Sequence, residues 1–575
     1  MPTASRAADL PQNLDVIVVG GGPAGSTAAT YLAMKGHSVA LVEREPGTRH
    51  RVGESLLPSM MPILEDFGLI EKVEAQGFAR KTGGTFVWGK SDEPWDVLFG
   101  NNPFLPYPYA YHVDREVFDG IMLDNAGETG VHVLQGVTVR APVKDGDRVV
   151  GVRLVDTDGE EREVACRYVV DASGPKAVLG RQLTERTYDA KMRQVAYYGY
   201  YRNVKGPEGH RATHVLIEAN KYGWFWYIPQ AGGSGKLGEA SVGLVSGQEF
   251  ASEVRSMGME AFYERALAES PYMQSLLGGN AERITPLKAI SDWAYTSEKT
   301  AGPGWYLAGD AASFLDPLLS SGCTMAMLAG YSASVCIHSS LTNPEMESDA
   351  ADFYADNYQR MYEVTRDFLH YFYAGNEQGS SDAMFWKARK TLNLGENVGA
   401  SQAFCFLVNT IPANPHPALK KQIHMYLQFM DKMDHDTEAL QSELGDKVEA
   451  MHADQVLDDA SLPDDAVPQP NGALESSWQI DGETHTLRPI RGIAYDQERP
   501  VFSSTSSWLL GRNIHAVDDE AADLLARMDG QTTWGALLAA QAEASGRSVD
   551  ELRAEVQPVL ARLAADKLVL VRAEA

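Results

Sequence analysis

Short apolar runs alternate with small-residue and polar segments at the start of the chain. The β-branched run at residues 15–19 predicts a buried strand, residues 26–34 predict a helix, and residues 38–42 predict a second strand. A strand, a helix and a strand in this order are typical of the βαβ unit of a parallel sheet. The pattern therefore predicts an α/β fold at this end of the chain.

Glycines at the turn between the first strand and the helix indicate what this unit binds. Gly20, Gly22 and Gly25 form the pattern G-x-G-x-x-G, and Glu43 follows the second strand, 23 residues after Gly20. In this arrangement the glycines let a pyrophosphate approach the helix start, and an acid about 20 residues further on binds a ribose hydroxyl. The full series of features favours a dinucleotide site over an empty βαβ turn.

A second junction between a strand and a helix carries another candidate anion site. The apolar run 305–308 precedes the loop 309–322, GDAASFLDPLLSSG, and residues 323–334 predict a helix. Backbone N–H groups at a helix start lack partners and attract negative charge, and Asp310 can accept hydrogen bonds from sugar-like hydroxyls. The alternative is an ordinary connection with an N-capping serine.

Aromatic residues and strand-like alternation dominate residues 176–300, which predicts a sheet inserted into the dinucleotide-binding fold. The strand period of two places Trp224, Trp226 and Ile228 on one face. Two indoles on one face could separate a reactive cofactor from a substrate. The alternative is an aromatic strand that only fills the core.

The remaining organisation follows from shifts in composition. We assign residues 1–340 to the dinucleotide-binding module, 341–451 to a helical region, 452–477 to an acidic linker and 478–575 to a small α+β module. This last module resembles winged-helix or PqqD-like domains, for which DNA binding is the obvious alternative role. Residues 501–575 hold 7 Lys and Arg against 11 Asp and Glu, which opposes DNA binding.

Composition excludes several other classes of protein. The chain of 575 residues has a net charge of −28, which argues against nucleic acid or an anionic membrane as partner. Its four cysteines are widely spaced without a C-x-x-C pair, so neither a metal site nor a disulfide framework is indicated. No apolar run reaches membrane-spanning length, and the first residues lack the apolar core of a signal peptide. We therefore expect a cytoplasmic protein.

A series of further motifs resembles the FAD contacts of flavoprotein monooxygenases of the para-hydroxybenzoate hydroxylase type. The series comprises RVGES at residues 51–55, the segment around Arg115, YVVDASG at residues 168–174, and Asp310. The resemblance implies an FAD-binding fold with an inserted β-sheet substrate domain, followed by the helical segment and the winged-helix-like module. The cofactor-binding residues that it implies are Gly20, Gly22, Pro23, Ala24, Gly25, Glu43, Arg44, Arg51, Ser55, Arg115, Asp310 and Gly322.

Three motifs are similar to those of flavin-dependent halogenases. WFWYIP at residues 224–229 matches the family signature W-x-W-x-I-P, GESLLP with Lys81 resembles the region of its catalytic lysine, and FLDPLLSSG at residues 314–322 resembles its halide-binding loop. The overall layout resembles the chloramphenicol-pathway halogenase and its carrier-protein-linked relatives. The resemblance implies that Lys81 is catalytic, that Trp224 and Trp226 shield the flavin, and that halide binds at a loop. The halide-binding residues it implies are Pro317, Ser320, Ser321 and Gly322.

The activity implied is an FADH2-dependent conversion of chloride or bromide and O2 to hypohalous acid, delivered through Lys81 to an electron-rich aromatic or enolisable acyl substrate. A separate flavin reductase and an acyl or peptidyl carrier protein are the implied partners. Asp292 is a candidate for a covalent link to the flavin, with a plain surface aspartate as the alternative. The carboxylate motif of the tryptophan-specific branch is not found. A flavin-dependent hydroxylase or reductase of the same fold, and a non-catalytic flavin-binding protein, remain the alternatives.

Overall fold

The computed structural model describes thirteen stretches of the chain, and every structural statement below concerns these residues. They are residues 10–47, 51–88, 93–101, 107–231, 237–291, 294–374, 385–386, 462, 464–470, 474–481, 484–494, 514–565 and 569–572. The chain divides into two units. One comprises Met1–Thr410 with Gln428–Asp434, and the other comprises Ile411–Leu427 with His435–Ala575.

A parallel sheet forms the centre of the first unit, as the apolar, β-branched pattern predicts for strands covered on both faces. Leu14–Val19 pairs in parallel with both Val39–Glu43 and Glu161–Asp171, and the helix Pro23–Met34 connects the first two. The predicted βαβ unit is therefore confirmed. The order across the sheet is Ala301–Gly302, Trp305–Leu307, Glu161–Asp171, Leu14–Val19, Val39–Glu43 and His132–Gln135. Arg148–Val155 also pairs antiparallel with Glu161–Asp171, and Thr138–Asp145 pairs antiparallel with Arg148–Val155.

A second sheet contains strands from residues 176–300, and it also includes two strands from outside that range. Gly83–Val87 pairs in parallel with Val215–Asn220, and Trp95–Leu98 continues the sheet. Pairing across some 130 residues leaves no periodic trace in the sequence. The order is Glu282–Arg283, Gln194–Arg202, Leu237–Gly247, Gly223–Ala231, Val215–Asn220, Gly83–Val87 and Trp95–Leu98, with Lys288–Ser291 also paired to Gln194–Arg202.

Smaller strand pairings and helices complete this unit. Ala79–Lys81 pairs with Ala110–His112, and Tyr295–Ser297 lies between Arg186–Tyr188 and Ser313–Phe314. The helices are Met61–Asp66, Ile70–Glu74, Arg115–Glu128, Gly180–Leu183, Ala251–Met257, Met259–Ala268, Pro271–Leu277, Gly322–Thr342 and Glu347–Ala374.

The helix predicted at residues 323–334 is confirmed and is longer, extending over Gly322–Thr342. It packs closely on Pro23–Met34 because Gly330 has no side chain: a Cβ there would lie 2.3 Å from the carbonyl oxygen of Ala24. This close approach brings the two helix starts, each following a glycine-containing turn, into the same region of the fold.

The predicted helical region 341–451 begins as expected with Glu347–Ala374, where Tyr354, Tyr358 and Tyr362 are buried. Most of the region after residue 374 lies outside the described residues. Among the helices that are described, none is long and apolar enough to cross a bilayer.

The second unit contains both strands and helices, and the winged-helix-like α+β module at residues 478–575 stays a prediction. Val467–Pro470 and Leu474–Ile480 are strands, so the end of the predicted linker 452–477 is structured. Prolines are tolerated there because Val467–Pro470 pairs with Val569–Arg572 and with no other strand among the described residues, so one edge of the strand needs no N–H donors. The remaining elements are the strands Leu487–Ala494 and Ile514–Val517 and the helices Asp519–Arg527, Trp534–Ser545 and Val549–Ala565.

Candidate active site

One cavity of about 730 Å³ lies in the first unit at the carboxyl ends of the parallel strands, where α/β sheets bind their ligands. Its lining includes the residues that end or follow three neighbouring strands, Val19, Ala172 and Ala308. The predicted site residues on its wall are Gly20, Gly22, Pro23, Ala24, Glu43, Arg44, Arg51, Ser55, Arg115, Trp224, Trp226, Asp310, Pro317, Ser320, Ser321 and Gly322.

The three motif glycines serve different purposes. Gly20 has a φ of +109°, and a Cβ there would lie 2.3 Å from the carbonyl oxygen of Ala172, so only glycine fits. A Cβ on Gly25 would lie 1.9 Å from the Gly20 carbonyl oxygen, so Gly25 lets the helix pack on the strand and is not on the cavity wall. Gly22 has nothing within 4 Å of an added Cβ, and no side chain caps the helix that it begins. A pyrophosphate fits this open helix start.

Glu43 presents a fixed carboxylate to the same cavity. One oxygen accepts a hydrogen bond from the Gly21 N–H at 2.8 Å, and the other accepts from the Glu45 N–H at 2.9 Å. Each oxygen retains a second lone pair. The group can therefore accept the hydroxyl hydrogens of a ribose, as the sequence motif predicts.

Arg115 is held rigidly at the cavity wall. Its guanidinium makes two hydrogen bonds to the Asp119 carboxylate, at 2.9 and 3.0 Å, and a third to the Val52 carbonyl oxygen at 3.1 Å. Gly53, with a φ of +110°, makes room for it, since a Cβ there would lie 2.9 Å from Nη1. The wall therefore contains a buried, oriented positive charge.

Asp310 provides a second polar group in the Gly309–Ala311 turn. Burial raises the pKa of its carboxyl to about 6, against the lowering effect of Arg115 and Arg51. Two tyrosine hydroxyls hold the backbone of this turn in place. The Tyr295 hydroxyl donates to the Asp310 carbonyl oxygen at 2.7 Å, and the Tyr358 hydroxyl donates to the Gly309 carbonyl oxygen at 3.0 Å. Asp310 is thus placed to contact cofactor hydroxyls.

The loop that precedes Gly322–Thr342 is folded around a polar cap. The Asp316 carboxylate accepts the Leu318 N–H at 2.9 Å, and Ser320 has a left-handed backbone with a φ of +55°. The helix that follows has no side-chain cap at Ser321, and Gly322 faces open space. Backbone N–H groups in a left-handed turn and at a helix start form an anion site, which suits a halide ion.

Trp224 and Trp226 form the aromatic wall of the cavity. Both indoles are buried, with ring centroids 6.1 Å apart. The Trp226 Nε1 donates to the Ser241 hydroxyl at 3.2 Å, and a Cβ on Gly243 would lie 2.2 Å from the Trp226 ring. The predicted common face of this strand is confirmed, while Gly243, which makes space for the ring, was not expected from the sequence.

Lys81 lies close to the cavity but does not line it. Its ammonium donates to the Leu56 carbonyl oxygen at 3.1 Å, next in sequence to the wall residue Ser55, and lies 5.4 Å from the centre of the Phe99 ring. The side chain is only 2% exposed. Burial lowers the pKa of Lys81 from 10.5 to about 7, so both the ammonium and the neutral amine are accessible near neutral pH.

Two buried side chains that sequence reasoning missed adjoin this lysine region. His112 is opposite Ala79, which places its side chain on the same face of the two-stranded ladder as Lys81. Its Nε2 contacts the Thr213 carbonyl oxygen at 2.9 Å, and its Nδ1 has no hydrogen-bond partner among the described residues. Glu54 is also buried and accepts hydrogen bonds from the Gly53 N–H and the Tyr200 hydroxyl. Burial and Glu54 together raise the pKa of Tyr200.

Asp292 lies outside the described residues, so its flavin link stays a prediction.

The fold and the cavity are those of a dinucleotide-dependent oxidoreductase, because an open helix start, a fixed carboxylate and a buried arginine surround one space of cofactor size. A sequence model of the tryptophan halogenase family matches residues 15–106 and 102–405. The chain belongs to this family and is a flavin-dependent halogenase that uses FAD with halide.

Individual relatives and solved structures agree with this assignment. A tryptophan 2-halogenase of Chondromyces crocatus is 36% identical over 384 residues, which are 66% of this chain and 71% of the relative. The structure of the flavin-dependent halogenase CmlS superposes with a TM-score of 0.72 at 27% identity, covering 96% of this chain and 95% of CmlS. The myxobacterial chondrochloren halogenase CndH gives a TM-score of 0.63 at 36% identity, covering 69% of this chain and 90% of CndH. The predicted α/β FAD-binding fold and cofactor are therefore confirmed.

Proposed function

We propose that this halogenase delivers hypohalous acid through Lys81 to an electron-rich aromatic or enolisable acyl substrate. When bound, reduced FAD would activate O2, and together they would supply the two-electron oxidation of chloride or bromide to hypohalous acid. The observation that carries the proposal is the burial of Lys81 beside, but outside, the cofactor cavity. A lysine in that position can act on a small molecule that leaves the cavity.

The halide would bind at the turn formed by Pro317, Ser320, Ser321 and Gly322. The Ser320 N–H donates to the Pro317 carbonyl oxygen at 3.0 Å, and the helix start that follows offers its backbone N–H groups without a side-chain cap from Ser321. The Ser320 hydroxyl donates a hydrogen bond to the Ser55 hydroxyl at 3.2 Å. Ser55 precedes Leu56, whose carbonyl oxygen accepts from Lys81, so this bond connects the loop to the segment that contacts the lysine. A small anion fits such a site better than an organic substrate does.

Trp224 and Trp226 would keep the organic substrate and bulk water away from the flavin. Two buried indoles present a continuous apolar surface on the cavity wall. A hydroxylase needs direct access of its substrate to the flavin, and such a wall opposes it. This favours the halogenase over the hydroxylase alternative of the same fold.

Lys81 would then hold or accept the reactive halogen. At pH 7 about half of the side chains carry an amine if the pKa is about 7, and the rest carry an ammonium. The ammonium can donate a hydrogen bond to hypohalous acid and polarise it. The neutral amine can instead become a chloramine, releasing water.

Two partners belong to the proposal. The pattern G-x-G-x-x-G recurs at residues 233–238, GSGKLG, but a strand, Leu237–Gly247, begins there and not a helix. A nicotinamide site needs the glycines to open a helix, so this segment does not provide one, which supports a separate flavin reductase as the source of reduced FAD. A relative from Pseudomonas fluorescens, 30% identical over 370 residues, is a 1H-pyrrole-2-carbonyl-[peptidyl-carrier protein] chlorinase and covers 59% of this chain. It supports a carrier-tethered substrate.

The test is rapid mixing of photoreduced, FAD-loaded protein with oxygenated buffer, with and without halide, using monochlorodimedone as a trap. Halogenated trap should form only with halide and be lost in Trp224→Ala and Trp226→Ala variants that retain FAD. Lys81→Ala should still halogenate the trap while losing transfer to the true substrate. Oxidation that is indifferent to halide would reassign the chain as a hydroxylase, and failure of reduced flavin to react with O2 would favour a non-catalytic role.

A further inference from the structure

A single tyrosine hydroxyl joins the aromatic wall to the proposed halide loop. Tyr373 lies in the last turn of the helix Glu347–Ala374 and is 1% exposed. Its hydroxyl oxygen is 2.6 Å from the Trp224 Nε1 and 2.9 Å from the Asp316 Oδ2. These three residues lie far apart in the chain, and the helix that contributes Tyr373 follows the proposed cofactor-binding and halide-binding residues in sequence.

The chemistry of the three groups fixes the direction of these hydrogen bonds. An indole N–H can only donate and an ionised carboxylate can only accept, so the hydroxyl accepts from Trp224 and donates to Asp316. Gln194 Oε1, at 3.2 Å, is a second acceptor for the same hydrogen. The Asp316 carboxylate is nearer and charged, so it forms the stronger bond.

The Asp316 carboxylate connects the Tyr373 hydroxyl to the backbone of the proposed halide loop. One of its oxygens accepts from Tyr373, and the other accepts the Leu318 N–H and so begins the Pro317–Leu319 turn. Ser320, with its left-handed backbone, follows directly. Because Asp316 is only 5% exposed, water offers little replacement for a lost donor. The hydroxyl therefore helps to set both the orientation and the effective negative charge of the carboxylate at the start of the loop.

We propose that Tyr373 is a positioning residue for the halide site, acting through the Asp316 carboxylate and tied to the Trp224 wall. The inference rests on the proposed function of the loop. Removing the hydroxyl leaves the Trp224 N–H without this acceptor and the Asp316 Oδ2 without this donor. A less neutralised carboxylate repels a nearby anion more strongly, and a loosened cap lets the N–H groups of the loop turn away. Both effects weaken halide binding.

The experiment uses Tyr373→Phe in the full-length, FAD-loaded protein and measures trap halogenation against chloride concentration. A lost hydrogen bond to a buried charged group commonly costs a factor of about ten or more in an equilibrium. We expect the KM for chloride to rise about tenfold, with kcat at saturating chloride changed by less than about threefold and FAD affinity unchanged. A chloride KM within about twofold of the wild-type value would overturn the proposal.

Tyr354→Phe is the matched control. Tyr354 lies on the same helix, is 1% exposed, and donates its hydroxyl hydrogen to the Leu307 carbonyl oxygen at 2.6 Å, away from the halide loop. We expect its chloride KM to stay at the wild-type value, and an equal rise in both variants would refute a specific role for Tyr373. Trp224→Phe removes the N–H and keeps an aromatic ring. Because both substitutions remove the same hydrogen bond, the double variant should raise the KM for chloride by less than the product of the two single-variant factors.

Two further arms separate the ways in which the test can fail. If Tyr373→Phe does not retain FAD, Trp224→Phe serves in its place, since it removes the indole N–H that donates to the Tyr373 hydroxyl and orients it toward Asp316 while the Asp316 charge is kept. A raised chloride KM in that variant supports the inference and an unchanged one overturns it. If the wild-type protein itself shows no halide-dependent product, the proposed function has failed, whatever the variants do.

Discussion

Replacing Lys81 by methionine should stabilise the protein most at low pH. Methionine keeps most of the length of the buried stem and removes the charge. In the wild-type protein the burial of the ammonium lowers the pKa from 10.5 to about 7, and each unit corresponds to 1.36 kcal/mol. The penalty for burying the charged lysine therefore has a ceiling of about 5 kcal/mol, which the variant does not pay.

The pH dependence follows from the number of protons that each state binds. Between about pH 7 and 10.5 the unfolded chain holds a proton on this lysine, while the folded chain has released it. The wild-type stability therefore rises with pH across this window, and the penalty is complete below it. We expect the advantage of Lys81→Met to be about 2.5 kcal/mol smaller at pH 9 than at pH 6.

Urea unfolding of both proteins at several pH values, followed by tryptophan fluorescence, measures this difference. Lys72→Met is the control, because Lys72 is half exposed and forms a surface ion pair with Glu128 at 2.6 Å. Its stability difference from the wild type should change little with pH. An advantage of Lys81→Met that is equal at pH 6 and pH 9 would show that Lys81 is not a buried, perturbed lysine, and the reasoning about its amine would lose its basis.

Three glycine substitutions test the first helix, at its start and where it packs on the strand, and the aromatic wall of the cavity. Gly22→Ala should fold as the wild type does, since nothing lies within 4 Å of the added methyl, but it should raise the Kd for FAD about tenfold in a fluorescence titration. Gly25→Ala should instead lower stability by about 2 kcal/mol or more, because its methyl would lie 1.9 Å from the Gly20 carbonyl oxygen; equal behaviour of the two variants would contradict these separate roles. Gly243→Ala should displace the Trp226 ring, retain FAD and release more hydrogen peroxide per halogenated trap molecule, and an unchanged ratio would count against the shield.

The dinucleotide-binding unit was predictable because its determinants are local. The strand, the glycine turn, the helix and the acid lie within one short stretch, and hydrophobic period and turn chemistry agree. The observed helix begins at Pro23, three residues earlier than predicted. Proline lacks an N–H and has a fixed φ, so it suits the first position of a helix, where that donor has no intrahelical partner.

Contacts between distant segments could not be predicted in the same way. Trp224 and Tyr373 are 149 residues apart, and neither the aromatic strand nor the helix has a pattern that selects this partner. The burial of Lys81 depends on Leu56 and Phe99, which come from a loop and a short turn elsewhere in the chain. Family resemblance identified the lysine, but only tertiary packing decides whether its pKa is perturbed.

The delivery that we propose through Lys81 needs a halogen species that is small and mobile. The lysine contacts the Leu56 carbonyl oxygen and does not line the cavity, while Ser55 and the indole of Trp224 do. A bulky substrate cannot share the cavity with FAD and also reach an amine that does not line that cavity. Hypohalous acid can, since it is neutral and of nearly the size of water. A buried lysine violates the usual rule that charges stay in solvent, and such violations are expected where function requires them. Burial of the Lys81 ammonium lowers the stability of the folded protein, and the same burial makes the neutral amine accessible at neutral pH. The pH dependence of unfolding and the loss of halogen transfer in Lys81→Ala therefore both test whether this side chain is buried.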